Sequence, residues 1–139
     1  MNAEIEKLVA KIENNINNED FIEVCEEYLE KLEELDFEGS SIESLLKIIE
    51  DNPNIELGMP GPIVHFVERF FRKGYEEKLI KSIERKPRAH TLWMLNRIIN
   101  GVKDNEREDY ITIMKNILTM IDIDNEVKNA ALRFCELYD

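Results

Sequence analysis

Residues 20–35, DFIEVCEEYLEKLEEL, decide the fold class of this chain. Apolar side chains recur there at steps of three and four, which is the spacing of one face of an α-helix. Glutamates occupy the opposite face, and Asp20 stands where the N-cap of such a helix is expected. The stretch therefore predicts an amphipathic helix with one buried face. The apolar positions are Phe21, Val24, Cys25, Tyr28, Leu29, Leu32 and Leu35.

The same spacing continues on both sides of this helix and predicts an all-α protein of about eight helices. The links between the stripes are short, so we expect stacked antiparallel hairpins in a single helical domain over residues 1–139. Residues 124–134, DNEVKNAALRF, resemble the second-helix signature of a HEAT repeat, in which Asp124 would cap the helix and two alanines would allow close packing. We therefore expect an irregular HEAT-like α-solenoid.

Composition excludes several classes of protein. The chain is 43% hydrophobic and 35% charged, as globular domains are, and no apolar run approaches the roughly 20 residues of a membrane span. The first residues carry acids where a secretory signal carries bases. Cys25 and Cys135 lie at apolar helix positions, so we expect two core thiols and no disulfide. We expect a cytoplasmic protein without a membrane partner.

Charge is sorted along the chain. Residues 1–57 carry 17 acids and four bases, residues 58–103 carry four acids and ten bases, and residues 104–139 carry nine acids and four bases. The net charge of −12 therefore conceals a basic centre between two acidic ends. Charge at this density indicates which kinds of surface the protein can approach.

Glutamates crowd the polar face of the helix predicted over residues 20–35. Three pairs of glutamates stand four residues apart, and each pair costs about 0.2–0.5 kcal/mol. Glu27–Lys31 is the one favourable pair at that spacing. Two interpretations remain open, a merely solvated face or a docking surface for a basic macromolecule. For the docking surface we predict these contact residues: Glu23, Glu26, Glu27, Glu30, Glu34, Glu38 and Glu43.

The central segment, residues 62–97, interrupts apolar helices with polar residues. These residues could form an inner hydrogen-bonded network, a binding face or, with Glu68 beside His65, a general acid–base site. Because no nucleophile stands near that pair in the sequence, we expect a protein that is not an enzyme. The secondary candidate polar face consists of His65, Arg69, Arg72, His90 and Arg97.

No motif indicates a metal ion or a cofactor. Residues 122–126, DIDNE, begin like an EF-hand loop, but Val127 occupies the position that needs glycine for the turn. Residues 58–62, GMPGP, precede a helix as anion-binding loops do, but the two prolines remove amide donors that a phosphate would need. We expect no catalytic residue, no cofactor and no metal, and we interpret residues 58–62 as a rigid turn that starts a helix.

Residues 58–101 resemble segments of bacterial immunity proteins, the antidotes encoded beside polymorphic or contact-dependent growth inhibition toxins. The resemblance rests on PGPIVHFVERF at 60–70, SIERKP at 82–87 and HTLWMLNRIING at 90–101. It implies an antitoxin that binds and neutralises one cognate toxin domain, often a basic nuclease, in the cytoplasm of the producing cell. It assigns no contact residues, so the acidic positions above come from charge and helix faces alone.

We therefore predict an immunity protein that engages a cognate basic nuclease toxin through acidic helices. Binding to nucleic acid is not expected, because the molecule as a whole is strongly acidic. The alternative is a HEAT-like scaffold or regulatory protein that binds an anionic ligand or nucleic acid through the basic centre at residues 58–103. The sequence leaves the oligomeric state open.

Overall fold

A computed structural model describes residues 2–138, and all regular secondary structure within that range is helical. The prediction of an all-α chain with eight helices is confirmed, whereas HEAT-like stacking stays a prediction. Within the same range, no helix combines the length and the apolar character needed to cross a bilayer. The helices are α1 (Ala3–Asn14), α2 (Phe21–Leu35), α3 (Ile42–Asp51), α4 (Pro62–Glu68), α5 (Tyr75–Arg85), α6 (Ala89–Gly101), α7 (Asp104–Ile117) and α8 (Asn125–Glu136).

The chain divides into two compact units, Met1–Lys78 and Leu79–Asp139, and the boundary falls inside α5. A single domain over residues 1–139 stays a prediction. In the first unit, α2 packs against both α1 and α4. Asn2 and Ile5, at the start of α1, line one groove with Leu35 at the end of α2. The two helices are therefore antiparallel, as in a helical hairpin.

The buried face of α2 is narrower than the sequence predicts. Phe21, Cys25, Leu29 and Leu32 are buried, whereas the last helical residue, Leu35, is exposed. Tyr28, expected in the core, is only half-buried. Its ring centre lies 5.7 Å from the Lys11 ammonium nitrogen and 5.5 Å from that of Lys31, so the aromatic ring contacts cations at the edge of the core.

Both cysteines are buried free thiols, as predicted. Burial, with a smaller contribution from the neighbouring Glu26 carboxylate, raises the pKa of Cys25 to about 12. The Cys25 side chain therefore remains a protonated, apolar part of the core at physiological pH.

A buried carboxylate organises the turn between α2 and α3. Asp36 is 2% exposed and accepts hydrogen bonds from the backbone N–H and the hydroxyl of both Ser40 and Ser41. Burial raises the pKa of Asp36, but these four hydrogen bonds outweigh it and hold that pKa below its ordinary value. Ser41 precedes the apolar stripe of α3, a position that predicts an N-cap, and it does stand there, but its hydroxyl donates to Asp36 and makes no capping hydrogen bond.

The apolar stripe that begins at Ile63 predicts a fourth helix that continues to Gly74, but the helix that forms is shorter. The stripe continues to Phe71, but α4 ends at Glu68 and the chain then turns through positive φ angles of 64° at Arg72 and 103° at Gly74. The Arg72 backbone N–H donates to the Glu76 carboxylate at 2.9 and 3.1 Å. A hydrogen-bonded turn thus replaces the last predicted helical turn.

In the second unit, α6 packs against both α7 and α8, which also pack against each other. Its buried residues include Leu92, Met94 and Leu95, as is typical of a helix that is apolar on most sides and covered by its neighbours. Asp124 stands at the N-cap of α8, but its side chain makes no capping hydrogen bond and pairs with Arg88 at 3.2 Å. The expected side-chain cap is therefore replaced by a tertiary ion pair.

Candidate functional site

The exposed face of α2 is a continuous strip of carboxylates. None of its six glutamates forms an ion pair within residues 2–78, the described part of the first unit. The favourable Glu27–Lys31 pair suggested by the sequence is not formed, because Lys31 lies over the Tyr28 ring instead. We call these residues the acidic strip: Glu23, Glu26, Glu27, Glu30, Glu33 and Glu34.

The acidic strip has two edges that differ in their surroundings. One edge borders a groove beside residues 58–62, at the start of α4. On the other edge, Glu34 lines a separate depression together with Lys7, Lys11 and Lys31. We call Glu26, Glu30 and Glu33, which line this groove, the groove edge, and we call Glu23, Glu27 and Glu34, which do not line it, the outer edge.

The groove between α2 and residues 58–62 has a volume of about 480 Å³. Ile22, Met59 and Pro60 contribute accessible apolar surface to it, above the buried Leu29 and Phe66, while the groove edge supplies carboxylates. The exposed His65 also lines it. Lysine and arginine have an apolar stem and a cationic tip, so an apolar surface beside carboxylates matches both parts of such a side chain.

Two glycines determine the shape of the loop at residues 58–62. Gly58 and Gly61 have φ angles of 97° and 90°, a region that side chains disfavour. A Cβ atom on Gly61 would lie 1.8 Å from the Leu57 carbonyl oxygen, and one on Gly58 would lie 2.4 Å from the Gly61 Cα. The tight turn presents Met59, which is 85% exposed, and is followed directly by α4, as the sequence predicts.

A second exposed apolar side chain lies just beyond the C-terminal end of the acidic strip. Phe37 is 76% exposed in the turn that Asp36 holds, and it lines a shallow groove with Leu35 and Glu38. An aromatic residue among charges is typical of the residues that dominate binding energy in protein interfaces. The sequence interpretation did not include Phe37 and Met59, because both lie outside the helical stripes. A large apolar residue in an otherwise polar turn was the feature that could have identified each of them.

Two predicted contact residues lie outside α2. Glu38 is exposed beside Phe37, in the turn that follows the helix. Glu43, on α3, lies 3.9 Å from Lys47, and both side chains are more than half exposed. A surface pair of this kind contributes little to stability, but it gives Glu43 an ion pair of the kind that the glutamates of the acidic strip do not form.

The secondary candidate polar face is divided between the two units. In the first unit, His65 and Arg72 are exposed, and the Arg69 guanidinium lies 5.8 and 5.9 Å from the ring centres of Phe66 and Phe70. These distances lie within the range of cation–π contacts.

The other part of that face lies on α6, in the second unit. The rings of His90 and Trp93 meet edge to face at 5.6 Å, and Arg97 lies 5.9 Å from the Trp93 ring centre. All three side chains are only partly exposed. Across residues 2–138, no group of three or more His, Cys, Asp or Glu side chains could hold a metal ion.

No model of a protein family, no curated protein sequence and no solved structure matches this chain. The shape and charge of the first unit therefore carry the functional proposal.

Proposed function

We propose that this chain is an immunity protein, an antitoxin that binds a cognate basic protein toxin in the cytoplasm of a bacterial cell. The observation that carries the proposal is the row of six exposed glutamates on α2 without an ion pair in residues 2–78. A nuclease toxin has to present cations to the phosphate backbone of its substrate. Carboxylates in a row have the same sign of charge as that backbone, so the acidic strip can occupy the cationic groove in its place.

Like-charge repulsion within the acidic strip supports this function over simple solvation. Each pair of glutamates four residues apart costs the free protein about 0.2–0.5 kcal/mol. A cationic partner relieves that repulsion on binding, and the long-range field of the strip raises the rate of encounter. The chain thus acts as an interaction protein and not as an enzyme.

Exposed apolar residues near the acidic strip can supply the affinity that charge alone does not. Stable interfaces cover about 800 Å² on each partner, a patch roughly 30 Å across. The 15 residues of α2 extend over about 22 Å, with Phe37 just beyond their end. A patch centred on α2 can therefore combine steering charge with an aromatic anchor.

The proposal can be tested directly with the protein that is encoded by the reading frame immediately upstream of the gene. This product is expressed alone, together with the chain, and together with a variant in which Glu23, Glu27, Glu30 and Glu34 are changed to Gln. We expect growth arrest alone, relief by the chain and weaker relief by the variant at equal abundance. A neighbouring product that does not arrest growth, or an arrest that the chain does not relieve, would refute the proposal.

The sign of the partner's charge separates this function from binding through the basic centre at residues 58–103. A fluorescence titration with generic RNA and DNA at low salt should show no binding, because the acidic strip repels phosphates. Binding that weakens steeply with salt and disappears when Arg85 and Lys86 are changed to Gln would instead support a scaffold for an anionic ligand.

A further inference from the structure

We propose that the groove between α2 and residues 58–62 receives the cationic face of an amphipathic helix of the basic partner, with Met59 packing on an apolar residue of that helix. This inference rests on the proposed function and names the part of the acidic strip that forms the specific contact. The outer edge then steers the partner, while the groove edge and Met59 hold it.

The shape of the groove supports this occupant. Its volume of about 480 Å³ is within the range of sites that enclose small ligands or a few side chains, but it is too small for a whole helix. The partner helix must therefore lie over the opening of the groove, alongside α2, and insert side chains. Ile22, Met59 and Pro60 offer apolar contact to the stems of those side chains, and the groove edge offers oxygens to their tips.

The spacing of the carboxylates favours a helix over an extended segment. Glu26, Glu30 and Glu33 are separated by four and three residues, which corresponds to rises of about 6 and 4.5 Å along α2. A partner helix presents bases at the same steps on one face. Alternate residues of an extended strand lie about 6.7 Å apart, so successive bases of a strand fall out of step with these carboxylates.

Charge disfavours the other occupants. A second copy of this chain carries the same net charge of −12, so the two copies repel each other at long range, and nucleic acids and anionic bilayers are also negative. The loop adds a reason for tight binding: Gly58 and Gly61 permit its tight turn, and Pro60 and Pro62 restrict its backbone, which favours the conformation that presents Met59 before the partner arrives. Preorganisation of this kind reduces the entropy lost on binding.

The test uses the full chain and a model probe, a short helical peptide labelled with fluorescein. In this patterned peptide, Arg residues recur at helical spacing on one face, and Leu residues form an apolar face next to them. A scrambled peptide of identical composition carries the same charge without the apolar face. Fluorescence anisotropy at low and moderate salt should show the patterned peptide binding about tenfold more tightly than the scrambled one.

Two triple variants of equal charge locate the contact. Glu26→Gln, Glu30→Gln and Glu33→Gln remove the groove edge, and Glu23→Gln, Glu27→Gln and Glu34→Gln remove the outer edge. We expect the first set to weaken binding of the patterned peptide at least about tenfold and the second at most about threefold, since only the first loses direct contacts. Met59→Ala should weaken it about fivefold to tenfold without changing binding of the scrambled peptide.

Methionine methyl NMR gives an independent readout on the unaltered protein. The chain has five methionines, among which Met59 is exposed beside the groove and Met94 and Met114 are buried in the second unit. With 13C-methyl labelling, the patterned peptide should shift the Met59 signal and leave the Met94 and Met114 signals in place.

Equal loss of affinity in the two triple variants, or an unshifted Met59 signal in the bound state, would overturn the groove inference. Either result is compatible with an acidic strip that acts by charge alone, so the proposed function would still stand. The proposed function is decided by the growth assay, whose outcome does not depend on which edge of α2 makes the contact.

Discussion

Helices α2 and α6 both carry polar residues among apolar ones, but the two helices use them differently. On α6, Asn96 accepts a hydrogen bond from the Tyr138 hydroxyl at 2.6 Å, and Thr91 exchanges hydrogen bonds of 3.1 Å with the backbone of Arg88. On α2, the glutamates reach water without an ion pair in residues 2–78. Polar groups with partners inside a unit stabilise its packing, whereas like charges without ion pairs cost free energy in the free protein and are the basis of the proposed function.

The largest effect is expected at the turn that follows α2. Asp36→Asn removes the charge that accepts four hydrogen bonds in a buried site and should lower the free energy of unfolding by about 2–3 kcal/mol. Urea denaturation of the two proteins at pH 7 measures this difference. A loss below about 0.5 kcal/mol would mean that the network does not hold the turn.

The pH dependence of the free energy of unfolding, measured for the wild type and for Asp36→Asn, tests whether the Asp36 carboxylate is responsible. Because the hydrogen bonds hold the pKa of Asp36 below its unfolded value of about 3.9, the stabilisation is fully present above that value. It is lost as the pH falls through the lower pKa of the folded state. The difference between wild type and Asp36→Asn should therefore stay constant between about pH 5 and 7 and narrow below about pH 4. A difference that grows on acidification would contradict this sign.

A smaller loss of stability is expected on α6. Burial raises the pKa of Tyr138 to about 12, so its hydroxyl keeps the proton that it donates to Asn96. Asn96→Ala should lower the free energy of unfolding by about 1–2 kcal/mol because the hydroxyl loses a partly buried acceptor. Partner binding should not change. If the variant bound the partner more weakly under conditions in which it is fully folded, the polar residues of α6 would also have a role in binding.

For Phe37 we expect the converse, an effect on binding and not on folding, because its side chain is 76% exposed. Phe37→Ala should weaken partner binding about tenfold, or about 1.4 kcal/mol, while stability changes by less than about 0.5 kcal/mol. Ile121→Ala is the matched control, since Ile121 is also exposed but belongs to the second unit. Isothermal titration with the partner measures both. Equal effects of the two substitutions would remove Phe37 from the interface.

Helical periodicity was sufficient to predict the elements of the fold, because each apolar stripe reports a local 3.6-residue repeat. The eight helices, the two core thiols and the exposure of the glutamates on α2 all follow from it. Long-range contacts were not accessible in this way. Asp124 stands at its predicted N-cap position, but only the fold brings Arg88 to its carboxylate.

The candidate site was predicted in part for the same reason. The acidic face of α2 is a property of one helix, and the sequence identified it. Its division into a groove edge and an outer edge depends on the residues that lie beside each edge, which the fold decides. Met59 and Phe37 were missed because exposure in a turn has no periodic signal, and Tyr28 was placed in the core because its stripe position did not reveal the two neighbouring lysines.

Thermal unfolding at low and high NaCl tests most directly whether the glutamates of α2 are uncompensated charges. Salt screens repulsion between exposed like charges, so it should raise the melting temperature of the wild type more than that of the variant with Gln at positions 23, 27, 30 and 34. Three repulsive pairs of about 0.2–0.5 kcal/mol each predict a difference of a few degrees. Equal rises in both proteins, or a smaller rise in the wild type, would mean that these carboxylates are already neutralised within the molecule.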